Sequence, residues 1–124
     1  MPTFLSAHPI GGTDILALPV KEIGPAVAFY QQVFGFQATE RGEKKASLVR
    51  DQATIGLAVN GKDPEQASCY FEVEDLEALR EELIETGSSP TAFRIDNYGG
   101  SQYRVFFDKE PYGVCFCFGT KLTT

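Results

Sequence analysis

Apolar residues recur twice along this chain at helical spacing, and each time short strand-like runs frame the stretch. In the first half Val27, Tyr30, Val33 and Phe34 share one face of a 3.6-residue period. They follow Pro25, whose missing N–H costs nothing in a first helical turn, and Gly35 closes the run. In the second half Leu76, Leu79 and Leu83 form the apolar stripe, Asp75 stands where an N-cap belongs, and Gly87 suits a left-handed C-terminal position. Ahead of each helix lies a short apolar or alternating segment that ends in Val20 or Val73 and passes through Glu22 or Asp75. The two copies keep register, with an offset of 53 residues at the valines and 52 at the glycines.

Behind each helix the pattern predicts three strands, at residues 36–40, 46–50 and 54–59 and again at 91–95, 103–107 and 114–118. Asp51 and Gly113 fall in turn-like breaks between them. The segment NGKDPEQ, residues 60–66, is polar, carries Gly and Pro, and reads as a linker. The expectation is therefore an α+β fold in one domain, residues 1–124, made of two tandem βαβββ modules at 13–60 and 67–119. A module of roughly 55 residues has too little core to stand alone, so the two must share an interface. Their strands are expected to curve side by side into a cup-shaped mixed sheet with the helices on its convex face, leaving the concave face for a ligand.

Composition and charge narrow the function. No apolar run approaches the roughly 18 residues of a membrane helix, which argues against a membrane role. The first twelve residues lack the basic start and apolar centre of a secretory signal, so a cytoplasmic location is expected. Eleven Lys and Arg against 17 Asp and Glu give a formal charge of −6, which disfavours nucleic acid and anionic membranes as partners and accommodates a cationic ligand. Cys69, Cys115 and Cys117 show no CxxC spacing and read as reduced, buried thiols.

The tandem pattern, together with LPVKEIGPAVAFY (18–30), FGF (34–36), SCYFEVEDLEAL (68–79) and EPYGVCFCF (110–118), resembles the vicinal oxygen chelate superfamily of glyoxalase, bleomycin-resistance and dioxygenase relatives. Length, acidity and the segment LVRDQATIGLAV (48–59) look most like its bleomycin-resistance proteins, which implies a homodimer that binds a small cationic drug. It also implies where a metal would be held: on the opening and closing strands of each module, at positions that match Ile15, Gly56, Ser68 and Cys117. A divalent ion needs three or four Cys, His, Asp or Glu donors at about 2.0–2.3 Å. One thiol does not make that site, so neither metal nor other cofactor is expected, and with them metal-dependent lyase and dioxygenase chemistry. His8, the only histidine, precedes the first module in a segment, Thr3 to Gly12, that reads as an arm able to reach a partner subunit.

With Cys117 at a metal-ligand position, strand alternation puts Cys115 beside it on the cup side, with Ser68, Tyr70 and Glu72 on the neighbouring strand and Ile15, Ala17 and Pro19 in the first module. Tyr98, Tyr103, Phe106 and Phe107 add aromatic surface, and Arg104 and Arg94 flank the region. Core packing is the competing reading for Phe106 and Phe107, and solvated strand ends for Glu72, Asp96 and Asp108. The stretch DNYGGSQ (96–102) reads as a flexible loop that covers a ligand or as an ordinary hairpin connection. No residue is assigned a catalytic role; Cys117 has no histidine near it in sequence, and apolar surroundings raise a thiol pKa. The expected function is metal-free binding of a small, cationic or aromatic molecule in the concave cleft. The alternatives are a metal-independent lyase- or isomerase-like enzyme, with Tyr70, Glu72 or Arg104 as acid, base or anchor, and a regulatory interaction module.

Overall fold

The structure, a computed structural model, describes residues 2–122; residues 1, 123 and 124 of the expected 1–124 domain lie outside the described residues. Among the described residues there are nine strands and two α-helices in the order β1 (Thr3–Pro9), β2 (Leu18–Pro19), α1 (Ile23–Gln32), β3 (Gln37–Arg41), β4 (Lys45–Arg50), β5 (Ala53–Ala58), β6 (Ser68–Glu74), α2 (Leu76–Glu85), β7 (Arg94–Tyr98), β8 (Ser101–Lys109) and β9 (Cys115–Lys121). They form two open mixed sheets, β2-β5-β4-β3 and β1-β6-β9-β8-β7. In each module the opening strand runs parallel to the closing one, β2 with β5 and β6 with β9, and the remaining pairs are antiparallel. That repeat is the α+β tandem βαβββ arrangement which the spacing predicts.

The helices begin where the sequence indicates. Asp75, in the left-handed region at φ 63°, caps α2 by accepting the Ala78 N–H, and Gly87 follows the helix at φ 93°. Glu22 caps α1 only by position, since its side chain makes no capping hydrogen bond, and Pro25 occupies the first turn.

Of the two readings of residues 96–102 the hairpin connection holds: Asn97 pairs with Gln102 and Tyr98 with Ser101, so the strands run to a two-residue turn at Gly99 and Gly100, both at positive φ. Three expectations change. The predicted strand at 91–95 begins three residues later. The opening strand of the first module shrinks to Leu18 and Pro19, because residues 14–17 turn back, with the Ala17 N–H donating to the Asp14 carbonyl. And the N-terminal arm is a seven-residue strand paired antiparallel with β6 of its own chain.

β1 ties the modules together. Its Phe4 N–H donates to the Asp51 carboxylate and its Phe4 carbonyl accepts from the Gln52 N–H, both in the β4–β5 turn of the first module, while its edge pairs with the second. The Phe4 ring enters an aromatic core drawn from both halves. Phe71 stacks at 5.5 Å on Phe116 and on Phe118, Phe34 meets Phe116 edge-on at 5.3 Å, and Phe36 meets Phe4 at 5.6 Å. All six rings are buried. Aromatic pairs of this kind contribute roughly 0.5–1.5 kcal/mol beyond the area they bury. Arg50 roofs the cluster: its guanidinium lies 4.4 Å above Phe4, and one nitrogen donates to the Phe34 carbonyl and to Glu82 of α2.

Gly56 sets the approach of the first module's opening segment. Its N–H donates to the Ile15 carbonyl, and a Cβ on it would sit 2.1 Å from the Leu16 carbonyl oxygen. Backbone cannot retreat as a flexible side chain can. Gly56→Ala is therefore expected to destabilise the fold by about 2–4 kcal/mol. Urea unfolding of the two proteins checks this, and a change under about 0.5 kcal/mol would contradict the close approach.

Candidate functional site

The face of the second sheet turned away from the helices gathers residues that the strand register alone brings together. On β6 it presents Ser68, Tyr70 and Glu72; beside them, in register, stand Cys115, Cys117 and Gly119 of β9. Beyond β9 the same face carries Tyr103, Val105 and Phe107 of β8, then Asp96 and Arg94 of β7. On the other flank His8 and Ser6 of β1 pair with Tyr70 and Glu72. The opposite face holds Cys69, Phe71, Phe106, Phe116 and Phe118, all fully buried. Alternation with a period of two produces this division.

Tyr70 is the centre of the open face. A Cβ at Gly119 would lie 2.8 Å from a ring carbon of Tyr70, so the missing side chain lets the ring lie across β9 toward Val105. The hydroxyl donates to Glu72 Oε1 at 2.6 Å, and Glu72 Oε2 accepts the Lys121 N–H at 3.1 Å. Burial, and then the bond to Glu72, hold the Tyr70 phenol above its ordinary range, so it remains a donor at physiological pH. Tyr103 stands edge-on to Tyr70 at 6.1 Å, and the His8 ring, bonded to Ser6 Oγ at 2.8 Å, lies 6.1 Å from Tyr70 on the other side. Further along, the Arg94 guanidinium covers Phe107 at 4.7 Å and pairs with Asp96 at 3.0 Å. The arrangement offers a half-buried group of aromatic rings with a hydrogen-bonded carboxylate at one end.

The thiols of this region are poor nucleophiles. Burial, with Asp96 adding to it, pushes Cys117 up to about 12, and burial likewise pushes Cys69 to about 12. Cys115 is raised by burial too, with Lys109 pulling the other way.

Of the candidate residues, Ser68, Tyr70, Glu72, Cys115, Cys117 and Tyr103 share the open face. Tyr98 is on that face but at the hairpin tip, 80% exposed. Phe106 and Arg104 are not on it: Phe106 is fully buried and stacks on Phe118 at 5.2 Å, while Arg104 pairs with Glu77 of α2 and covers Phe93 at 3.8 Å. Their place on β8 is one residue out of phase with Tyr103 and Phe107, which moves both to the helix side. His8 and Gly119 were missed. The signal for His8 lay in the alternation of residues 3–9, and the one for Gly119 in a lone glycine inside a strand.

The four positions matched to metal ligands do not fit a metal. In the first module the Leu16 backbone occupies the space above Gly56, and Ile15 offers no donor side chain. In the second, Ser68 and the thiol of Cys117 remain. Among the described residues no group of three or more His, Cys, Asp or Glu is placed to hold an ion. No helix among them is long and apolar enough to cross a membrane.

A separate cavity of about 510 Å³ opens at the far end of the second sheet, between α1, the chain after α2 and the β8–β9 turn. Cys115 and Phe107 border it, and Asp108 lies in its wall.

Residues 12–118 match the family model for the Glyoxalase/Bleomycin resistance protein/Dioxygenase superfamily. No protein of curated function matches by sequence. Among solved structures the chain is similar to the bleomycin-binding protein of bleomycin-producing Streptomyces verticillus in complex with copper(II)-bleomycin, at 19% identity and a TM-score of 0.71, over 90% of this chain and 97% of that one. It is similar also to the bleomycin resistance determinant encoded on the transposon Tn5, at 18% identity and a TM-score of 0.73, over 89% and 98%. A V. cholerae integron cassette protein aligns at 21% identity and a TM-score of 0.69, over 90% and 95%.

The state of the thiols is open to a direct check. With a pKa near 12, roughly 10⁻⁴ of Cys117 is thiolate at pH 8. Iodoacetamide at pH 8 is expected to leave Cys69 and Cys117 unmodified in the folded protein, to modify half-exposed Cys115 slowly, and to label all three in urea. Mass spectrometry of the digested protein reads this, and fast native labelling at Cys117 would overturn the buried, inert assignment.

Proposed function

The chain belongs to the glyoxalase/bleomycin resistance protein/dioxygenase superfamily, and we propose that it binds a small cationic or aromatic molecule on the open face of its second sheet without a metal ion. The observation that carries this reading is the pairing of Tyr70 with Glu72: an aromatic ring in close approach to Gly119, beside a carboxylate held in place by two hydrogen bonds. Among the described residues no cationic side chain forms an ion pair with Glu72. An ionised carboxylate accepts about four hydrogen bonds, so two remain for a ligand. A cation above Tyr70 gains from the ring face as well, by about 0.5–2 kcal/mol. The formal charge of −6 favours the approach of such a ligand. The known ligand of a structural neighbour, bleomycin, is the natural first probe.

A homodimer belongs to the same proposal. Leu5, Ile10 and Leu16 are exposed along the segment from β1 to β2, at 36%, 41% and 64%, and a second copy would cover them. Sedimentation equilibrium is expected to give twice the chain mass of 13.6 kDa, and a purely monomeric protein at micromolar concentration would remove this part.

For the binding reading, metal analysis of untagged protein is expected to find no stoichiometric ion, and chelator to leave the melting temperature unchanged. Metal-free bleomycin at a hundred times its Kd should stabilise the fold by about 2.7 kcal/mol. Glu72→Gln and Tyr70→Ala should each weaken binding about tenfold or more, as titration calorimetry would show. Stoichiometric bound metal, or binding indifferent to both substitutions, would sink the proposal.

A further inference from the structure

The cavity beside Asp108 combines apolar walls with a buried carboxylate. Phe29 of α1, Val33 at its C-cap, Phe107 and Pro111 give it apolar walls, and the one carboxylate in its lining belongs to Asp108. Asp108 is only 5% exposed. Its Oδ2 accepts the Ser88 hydroxyl and its Oδ1 accepts the Lys109 N–H at 2.9 Å. Among the described residues it forms no ion pair; Lys109 borders the same cavity from the face that also carries Phe107 and Cys115. A buried carboxylate with two neutral donors and no cation is under-compensated, since burial of a charge is costly until it is paired. Desolvation accordingly holds the Asp108 carboxyl above its ordinary value of 3.8, against the pull of the two hydrogen bonds.

We infer that this cavity is a second small-molecule site, built for an apolar amine whose ammonium is received by Asp108 and Ser88 and whose hydrocarbon body lies between Phe29, Val33 and Pro111. Its volume of about 510 Å³ is within the ordinary range of roughly 300–1,000 Å³ for ligand pockets. An ammonium supplies three donors, which match the free lone pairs of the carboxylate and the lone pairs of the Ser88 oxygen. Charge-assisted bonds in a largely apolar site are about twice as strong as neutral ones, so the amine is preferred over an alcohol of the same shape. The site adjoins the open face through Phe107 and Cys115, but Tyr70, Glu72 and Tyr103 do not border it.

The test is a heteronuclear NMR titration of the full chain at pH 7 with 2-phenylethylamine, with 2-phenylethanol as the neutral isostere. The expected result is saturable shifts at the amides of Val33, Ser88, Thr91 and Phe107, with the alcohol binding at least tenfold more weakly. Asp108→Asn should lower the affinity for the amine at least tenfold while its spectrum stays that of a folded protein. Should that variant fail to fold, Val33→Phe, which fills the cavity and leaves the carboxylate intact, should abolish the same shifts. Tyr70→Ala should leave this titration unchanged, which separates it from the proposal for the open face. Equal binding of amine and alcohol, shifts confined to Tyr70 and Tyr103, or no saturable shift would each overturn the inference.

Discussion

The fold depends on a core that neither half can build alone. The rings of Phe34 and Phe36 come from the first module, Phe71, Phe116 and Phe118 from the second, and Phe4 from the strand that precedes both. Separate the modules, and each would expose half of this cluster. Arg50 completes the enclosure, because one guanidinium covers Phe4, satisfies the Phe34 carbonyl at the end of α1 and reaches Glu82 on α2. Everything functional follows from that burial. With one face of the second sheet committed to the aromatic core, alternation sends the other set of side chains outward.

What the outward face can do is decided by absent side chains as much as by present ones. At Gly56 the backbone of Leu16 fills the place a side chain would need, so this position of the first module offers no donor. At Gly119 the missing Cβ lets Tyr70 lie across the sheet, where its hydroxyl meets Glu72. The same device, a glycine under close contact, closes one face and shapes the other.

Two carboxylates, Glu72 and Asp108, lie on opposite faces of one sheet in different surroundings. Glu72 is half-buried among tyrosines and held by the Tyr70 hydroxyl and a backbone amide. Asp108 is sunk in an apolar wall and held by Ser88 and its neighbour's amide. Both are hydrogen-bonded yet unpaired by any cation among the described residues, an arrangement that suits a protein presenting negative charge to positively charged small molecules. Burial outweighs the nearby cations at the thiols of this region, with Lys109 acting on Cys115 and Arg94 on Cys117, and leaves them poor nucleophiles.

The sequence by itself determined the repeat, the helix starts and the outward parity of Ser68, Tyr70, Glu72, Cys115 and Cys117, because helical and strand periods are local and each is written in consecutive residues. It also showed that no metal-donor set stands at the positions where the family resemblance implies one. Only the tertiary structure decided the rest, and for one reason: pairing partners are far apart in the chain. Thr3–Pro9 looked like a free arm because its partner, β6, lies about 65 residues on, and with that pairing His8 joined Tyr70. Local alternation opposes Arg104 and Phe106 to Tyr103 and Phe107, but which pair faces outward is fixed by the register of β8 with β9, and for Phe106 the core-packing reading holds. The cavity at Asp108 was invisible for the same reason, since α1, the chain after α2 and the β8–β9 turn meet there only when the shared core brings the modules together.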